Sequence, residues 1–391
     1  MTLLAVLFWA FLFVVFYTYV GYGFVLYGAV KLREALRPRT VFVDPDPWPE
    51  VTLLIAAYNE QEVVDEKMRN SLAQEYPAGR LRIVWVTDGS NDATNERLAA
   101  WSEAQVLFRP ERRGKTAALN RAFALIDTPL VICTDANTML NAEAVREMVR
   151  LFSDPKVGCV AGEKRVAAAD GANAAATEGI YWKYESKLKE WDDRLSSACG
   201  AAGELFAVRR SLFRPVPEDT LLDDFLISMR IVMQGYRIAY STRAYALETP
   251  SADMGEEGKR KRRIAAGGLQ AIARLWPLLN PFRYGIFSWQ YVSHRVLRWS
   301  LTPVLMLLLI PLNVALACCA ERNTAYVVLL VLQALFYLAG IAGWVLSRRG
   351  VKNRLFYVPY YFLFMNVNVF RGMWYLLTHK GGGAWEKARR A

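Results

Sequence analysis

The apolar positions of this chain fall into three regimes. Residues 3–30 are apolar almost without interruption, longer than the roughly 20 residues that cross a bilayer. Residues 51–160 alternate short apolar runs with stretches of mixed polarity. The continuous pattern then returns as three runs, 301–319, 325–346 and 355–377.

In the middle region, residues 51–57, 82–87, 105–108 and 129–133 read as buried strands, and 60–74, 93–103 and 116–126 as helices. This alternation predicts an α/β domain with a mostly parallel sheet and helices on both faces. Ligands on such sheets bind at the C-terminal ends of strands. Tyr58, Asp88 and Asp135 each fall just after a strand, so they are expected along one edge. Further on the pattern is more mixed. Residues 172–194 read as a long helix, 205–208 as a short strand, and 223–234 as a helix ended by Gly235. Five consecutive cations, Lys259 to Arg263, precede an amphipathic stretch at 264–279. Residues 284–299 combine Trp289, His294, Arg295, Arg298 and Trp299, which suits a helix lying in the headgroup region. The expected divisions are 1–39, a transmembrane helix with a basic flank; 40–258, the α/β domain; 259–300, an interfacial segment; and 301–391, a transmembrane region and tail.

Composition sharpens the membrane reading. Hydrophobic residues are 54% of the 391 and the mean hydropathy is +0.12, an excess confined to the two ends. The first apolar segment has neither a basic start nor a small-residue cleavage site, so it reads as a span and not as a secretory signal. Lys31, Arg33, Arg37 and Arg39 follow it and place its C-terminal end in the cytoplasm. The loop at 347–354, with Arg348, Arg349, Lys352 and Arg354, is cytoplasmic by the same rule, and the loop at 321–324 is then outside. The tail conflicts, because three spans leave it outside although it carries Lys380, Lys387, Arg389 and Arg390. The last run also contains Pro359, Asn366, Asn368 and Arg371; it is read as a span. The net charge of +11 and pI of about 9.4 reflect cations beside apolar segments, where they meet anionic membrane lipids. No aromatic-basic motif points to nucleic acid. The five cysteines have no CxxC spacing, and Cys133, Cys159 and Cys199 are expected to be reduced thiols. With only His294 and His379, a His-based zinc site or a Ser-His-Asp triad is not expected in the soluble part.

What remains are carboxylates at strand and helix ends. Asp135 closes a strand in Thr134-Asp135-Ala136-Asn137, a usual place to hold a metal-bound diphosphate. Hard cations such as Mg²⁺ or Mn²⁺ take oxygen ligands, and the Asn137 amide can join without adding charge. Asp88 sits in a Thr-Asp-Gly-Ser turn. Lys115 lies in a Gly-Lys-Thr turn that lacks the upstream pattern of a P-loop. Asp223 and Asp224 are adjacent at a helix start, so only one of them can face a given acceptor.

These motifs together resemble the membrane-embedded family 2 inverting glycosyltransferases, the group that includes hyaluronan, chitin-oligosaccharide, poly-N-acetylglucosamine and cellulose synthases. The matching residues are Ala56-Ala57-Tyr58-Asn59-Glu60, Thr87-Asp88-Gly89-Ser90-Asn91-Asp92, Gly114-Lys115-Thr116-Ala117-Ala118-Leu119-Asn120, Thr134-Asp135-Ala136-Asn137 and Leu222-Asp223-Asp224. The resemblance covers residues 51–263 and implies a GT-A fold and a nucleoside-diphosphate sugar donor, a UDP-sugar. It implies that Ala57, Tyr58, Glu60, Asp88, Lys115, Asp135 and Arg263 bind the donor. Asp88 would accept from the base, and Asp135 with Asn137 would hold the metal. Asp224 would be the base and Asp223 a supporting acid. Gly203 and Glu204, in a small-residue turn starting at Cys199, would lie beside the acceptor. Two departures stand out. Asn137 replaces the second carboxylate of Asp-x-Asp. In the family's Gln-x-x-Arg-Trp, Arg263 keeps the arginine, but Arg260 and Ile264 replace the glutamine and tryptophan.

The expected activity is extension of a polysaccharide, coupled to its translocation, at a bacterial inner (plasma) membrane with the catalytic domain in the cytoplasm. One alternative is a non-processive transferase acting on a lipid-linked acceptor. An alternative of another class is a catalytically inactive nucleotide-binding partner of a secretion complex.

Overall fold

The computed structural model describes residues 2–38, 40–166, 173–249, 254–319, 324–349, 351 and 353–378. Its centre is an eight-stranded sheet in the order β3-β2-β1-β4-β7-β6-β8-β5. Strands β1 (Val51–Ala57), β2 (Leu81–Asp88), β3 (Ala104–Arg109) and β4 (Leu130–Asp135) are mutually parallel, as the alternation predicts. β1 and β4 read as unbroken apolar runs because both of their faces are covered, and Leu53, Leu54 and Ile55 have no exposed surface. Helices α3 (Val64–Leu72), α4 (Thr94–Ala99), α5 (Lys115–Leu125) and α6 (Ala144–Leu151) follow or connect these strands. The register aligns Ala57 with Thr87 and Ala56 with Asp135, which brings the ends of β1, β2 and β4 to one edge.

The second half of the sheet is mixed. β7 (Leu205–Arg209) is antiparallel to β4 and to β6 (Val157–Val166), β8 (Arg237–Glu248) is parallel to β6, and β5 (Thr138–Leu140) closes the edge antiparallel to β8. β6 and β8 are long strands that the apolar pattern did not reveal. In β6 the reason is Gly158 and Gly162: a Cβ would stand 2.5 Å from Ile231 at the first and 2.6 Å from Leu205 at the second. The close approach of neighbouring elements requires glycines, and they hide the strand. Against this half lie α7 (Asn173–Leu195) and α8 (Asp223–Met233), the latter stopping at Gly235 with φ 91°.

The N-terminal apolar run forms α1 (Thr2–Phe16) and α2 (Tyr22–Leu36), joined through a π-helical turn into one 35-residue helix. Beyond the sheet come α9 (Met254–Arg274), three short helices α10 (Pro281–Tyr284), α11 (Ile286–Tyr291) and α12 (Leu297–Trp299), and then α13 (Leu301–Cys319), α14 (Thr324–Arg348) and α15 (Arg354–Thr378). Among the described residues three helices are long and apolar enough to cross a membrane: the N-terminal one, α13 and α14.

The third C-terminal run, read from sequence as a span, is a 25-residue helix that falls outside this set. Its middle buries Asn366 and Asn368, and Tyr19 on the N-terminal helix donates to Asn366 Oδ1 at 2.6 Å. It packs closely on both sides. A Cβ on Gly372 would meet the Ala265 Cβ at 2.7 Å, and one on Gly343 of α14 would meet the Phe356 carbonyl at 2.2 Å. The loop at 321–324 and the basic tail, both used to orient the spans, lie outside the described residues apart from Thr324.

The stretch read as interfacial exposes Trp276 and Phe282 but buries several of its other side chains. Gln290 and His294 are buried against α7 and Ser293 against Tyr17, while Phe287 and Tyr291 are buried in the core that holds Phe225 of α8. The His294 imidazole meets Asp192 at 2.5 Å and Glu185 at 3.2 Å, and Gln290 donates to Asp192. The five-cation run is inside α9, where Arg260 and Lys261 are buried in ion pairs. A lipid-facing role is therefore closed to those two.

Candidate active site

The site begins with how three loops are held. Asn59 takes a left-handed φ of 53° after β1 and accepts from Asn91 N at 3.0 Å, while its Nδ2 donates to Asn91 Oδ1 at 2.7 Å. Asp92 accepts from Gln61 N, and Thr94 Oγ1 accepts from Glu60 N. The loops after β1 and β2 are thereby tied together, with Tyr58 and Glu60 on the cavity side.

Asp88, at the end of β2, accepts from Arg113 N at 3.0 Å and Gly114 N at 2.6 Å. Its carboxylate thus fixes the entry to α5, where Gly114 has φ 96° and Lys115 begins the helix. Gly89 beside it has φ 68°, and a Cβ there would lie 2.7 Å from Arg112 N, so this turn admits no side chain. Asn120 on α5 then grips the chain before α8. It donates to Val216 O at 2.8 Å and accepts from Val216 N at 3.1 Å, and Thr116 donates to Thr220 O.

These tethers converge on a cavity of about 380 Å³. Every site residue anticipated from sequence lines it: Ala57, Tyr58, Glu60, Asp88, Lys115, Asp135, Asn137, Gly203, Glu204, Asp223, Asp224 and Arg263. At its centre Lys115 Nζ donates to Asp135 Oδ1 at 2.6 Å and stands 3.9 Å from Asp223 Oδ2. Burial opposes the Lys115 charge, but Asp135, Asp223 and Asp224 outweigh it and hold the ammonium's pKa above its usual value. Asp224 is the opposite case. Burial and the neighbouring Asp223 charge raise its carboxyl from 3.8 to about 7, although Lys115 works the other way. Its Oδ1 accepts from Phe225 N at 2.8 Å. The Gly203 turn reaches it closely: a Cβ there would be 3.1 Å from Lys115 Nζ and 3.2 Å from Asp224 Oδ2. That turn is held to α8 by Ala201 N donating to Ser228 Oγ.

A divalent cation fits this donor set. Asp135 and Asn137 offer oxygens on one turn. Asp223 Oδ2 is buried and has no hydrogen bond among the described residues. Oxygen donors with several carboxylates suit Mg²⁺ or Mn²⁺.

Glu204, expected beside the acceptor, is engaged in a buried ion cluster. It lines the cavity, but it is 8% exposed and pairs with Lys164 at 2.6 Å and Arg260 at 3.1 Å. Lys164 also pairs with Glu248, and Arg260 lies 3.5 Å from the same carboxylate. Burial opposes the Glu204 charge, yet Lys164 and Arg260 hold its pKa well below the usual range. Two anions and two cations thus bolt α9 to the ends of β6 and β8 and fix the turn at 204. Arg260, which replaces a glutamine of the resembled motif, is a member of this cluster.

Sequence reasoning missed several cavity residues: Arg112, Trp182, Glu185, Lys189, Glu248, Arg295, Trp299 and Met365. Arg112 stacks over the Tyr58 ring at 3.9 Å. Most of the others come from α7, the end of β8, the 286–299 segment and α15, which carry no local signature and reach the cavity only through folding.

Residues 52–216 match the family described as Glycosyl transferase family 2. The poly-beta-1,6-N-acetyl-D-glucosamine synthase of Staphylococcus aureus strain COL is 28% identical over 244 residues, 59% of this chain and 58% of that protein. The enzyme of the same name from Staphylococcus epidermidis is 24% identical over 290 residues, 71% of this chain and 69% of that one. The chain therefore spans 58% of the length of the first of these relatives. In architecture it is similar to a mannosyltransferase from Pyrobaculum calidifontis solved with GDP-Man and Mn²⁺. The TM-score is 0.71 at 22% identity, over 95% of this chain and 99% of that one. The matched stretch, residues 52–216, is thus similar to family 2 glycosyltransferase domains, and it lies in a GT-A-like sheet with apolar helices on either side.

Proposed function

We propose that this chain is a membrane-bound inverting glycosyltransferase that takes a UDP-sugar and, with a divalent cation, extends a polysaccharide. The observation that carries the reading is Asp224. Its carboxyl is poised near pH 7, in one cavity with the Lys115–Asp135 pair and against the Gly203 turn. A general base works best when its pKa lies near the working pH.

The chain's own residues then divide the work. Ala57, Tyr58, Glu60 and Asp88 line the nucleoside end. Asp135 and Asn137 would hold the cation, which when bound supplies positive charge for the departing diphosphate. Arg263 and Lys115 bring further positive charge to the same leaving group. Asp224 takes the proton of the acceptor hydroxyl as its oxygen attacks the anomeric carbon. The new carbon–oxygen bond forms on the face opposite the diphosphate, and the old bond breaks with its electron pair leaving on UDP. Asp223 keeps the local potential negative and so favours protonation of Asp224.

Under this reading the domain lies on the cytoplasmic side of a bacterial inner membrane, beside Lys31, Arg33, Arg348 and Arg349, and the apolar helices form part of an exit path. The name of the Staphylococcus relatives makes UDP-N-acetylglucosamine the first donor to test. A non-processive reaction on a lipid-linked acceptor is the second reading, favoured by Ile264, which lines the cavity where the resembled motif has a ring.

The test is a donor screen on detergent-purified protein with Mg²⁺ and Mn²⁺, following UDP release and product size. Release with a long, glycosidase-sensitive product is expected. Release only when lipid acceptor is added favours the second reading. UDP binding without release from any donor refutes both.

A further inference from the structure

α7 brings Trp182, Glu185 and Lys189 to the cavity at helical spacing. Glu185 is fully engaged, meeting Arg295 at 2.8 Å, Arg298 at 3.2 Å and the His294 imidazole at 3.2 Å. Lys189 is not. It is only 6% exposed, yet among the described residues no hydrogen bond or ion pair reaches its ammonium. Its nearest aromatic neighbour is the Tyr240 ring, 5.9 Å away. Burying a charge without a partner costs several kcal/mol, a cost that an anion bound in the cavity would offset.

Most of the other cavity cations are taken. Lys115 pairs with Asp135, Arg260 with Glu204, Lys261 with Glu257 and Arg295 with Glu185. Arg263 also lacks an ion pair among the described residues and is assigned above to the donor diphosphate. Lys189 lies one helical turn beyond Glu185, which holds Arg295, and Arg295 Nε donates to Cys199 O at 3.1 Å, where the turn leading to Gly203 begins. The charges that act on it most are Glu185, Arg295, Glu204 and Asp224. Burial, the largest influence, holds its pKa below the usual value.

We propose that Lys189 is an acceptor-binding residue that takes a phosphate group carried by the acceptor next to the attacking hydroxyl. This rests on the glycosyltransferase reading and, within it, on the second, non-processive form, whose acceptor it narrows to a phosphorylated one. The phosphate can belong to a membrane lipid or to a soluble sugar phosphate.

Competitive acetylation of the full-length protein in nanodiscs, read lysine by lysine by peptide mass spectrometry, tests it. Farnesyl phosphate, N-acetylglucosamine 1-phosphate and the neutral methyl N-acetylglucosaminide are the probes. Labelling of Lys189 is expected to slow at least fivefold with a phosphate probe and not with the neutral one. Farnesyl phosphate acting alone identifies the lipid source, and the sugar phosphate acting alone the soluble one. UDP with Mn²⁺ is expected to slow Lys115 and leave Lys189 unchanged. The proposal falls if neither phosphate protects Lys189, if the neutral glycoside protects it equally, or if UDP protects it as well as a phosphate probe does. If UDP protects neither lysine, the donor reading fails while the phosphate probes still decide Lys189. As a second measurement, the thermal shift given by the effective phosphate probe should vanish in Lys189→Met and persist in Lys189→Arg.

Discussion

Asp224→Asn separates a poised base from a helix-start residue. The carboxyl is raised from 3.8 to about 7. At ~1.4 kcal/mol per pH unit, a rise of about three corresponds to at most ~4 kcal/mol, shared with Asp223. The folded-state pKa lies above the unfolded one, so the fold prefers the protonated acid. That stability is fully present below the unfolded value of 3.8 and is lost progressively as the pH rises to about 7. At pH 8 the wild type therefore carries a disfavoured charge that the asparagine lacks, while the amide keeps an acceptor for Phe225 N. In scanning fluorimetry the variant is expected to melt a few degrees above wild type at pH 8, with the gap shrinking as the pH falls toward 4. Transfer should drop by about 10²–10⁴. The wild-type turnover should rise tenfold per pH unit below about 7 and level off above it, and the variant should lose that inflection. Near-wild-type turnover in the variant would refute the assignment. So would a flat wild-type profile between pH 5 and 8. A variant less stable at pH 8 would show that the carboxylate serves the helix start instead.

Other outcomes follow from the same geometry. Asn137→Asp adds a carboxylate to the proposed cation site and is expected to lower the Mn²⁺ concentration for half-maximal activity about tenfold, ~1.4 kcal/mol, in a metal titration of UDP release. Gly200→Ala should cost at least ~2 kcal/mol, measured as loss of folded protein or of melting temperature, because Gly200 has φ 90° and a Cβ would fall 2.2 Å from the Phe225 ring. Glu248→Gln breaks the buried cluster of Lys164, Glu204 and Arg260 and should destabilise by about 3–5 kcal/mol, seen in the same melting assay. Since Glu204 in that cluster has a lowered pKa, the stability it contributes is present above its unfolded value of 4.5 and lost as the pH falls below it. An acid melting series should show this loss in wild type.

What could be read in the sequence was whatever a local pattern encodes. The unbroken apolar runs of β1 and β4 exist because both sheet faces are covered, so the parallel half of the sheet was visible in them. Carboxylates just after strands are carried to one edge by the parallel register, so the position of Asp88 and Asp135 follows from the sequence pattern. Length and apolarity alone marked the N-terminal helix, α13 and α14. Tertiary structure decided the rest. β6 was hidden because its glycines answer to Ile231 and Leu205, residues far away in sequence. The five cations of α9 look the same in sequence, yet Arg260 and Lys261 are buried because Glu204, Glu248 and Glu257 wait for them, and no local rule foresees such partners. The last apolar run became a helix that packs on α9 and buries Asn366 and Asn368, since its environment is set by the helices beside it and not by its own hydropathy. Lys189 is the clearest case. On α7 it is one charge among many, and only folding buries it at the cavity, with no ion pair among the described residues. The sequence determines which groups exist and on which element. Which of them are spent on one another, and which are left facing the cavity, depends on contacts between residues distant in the chain.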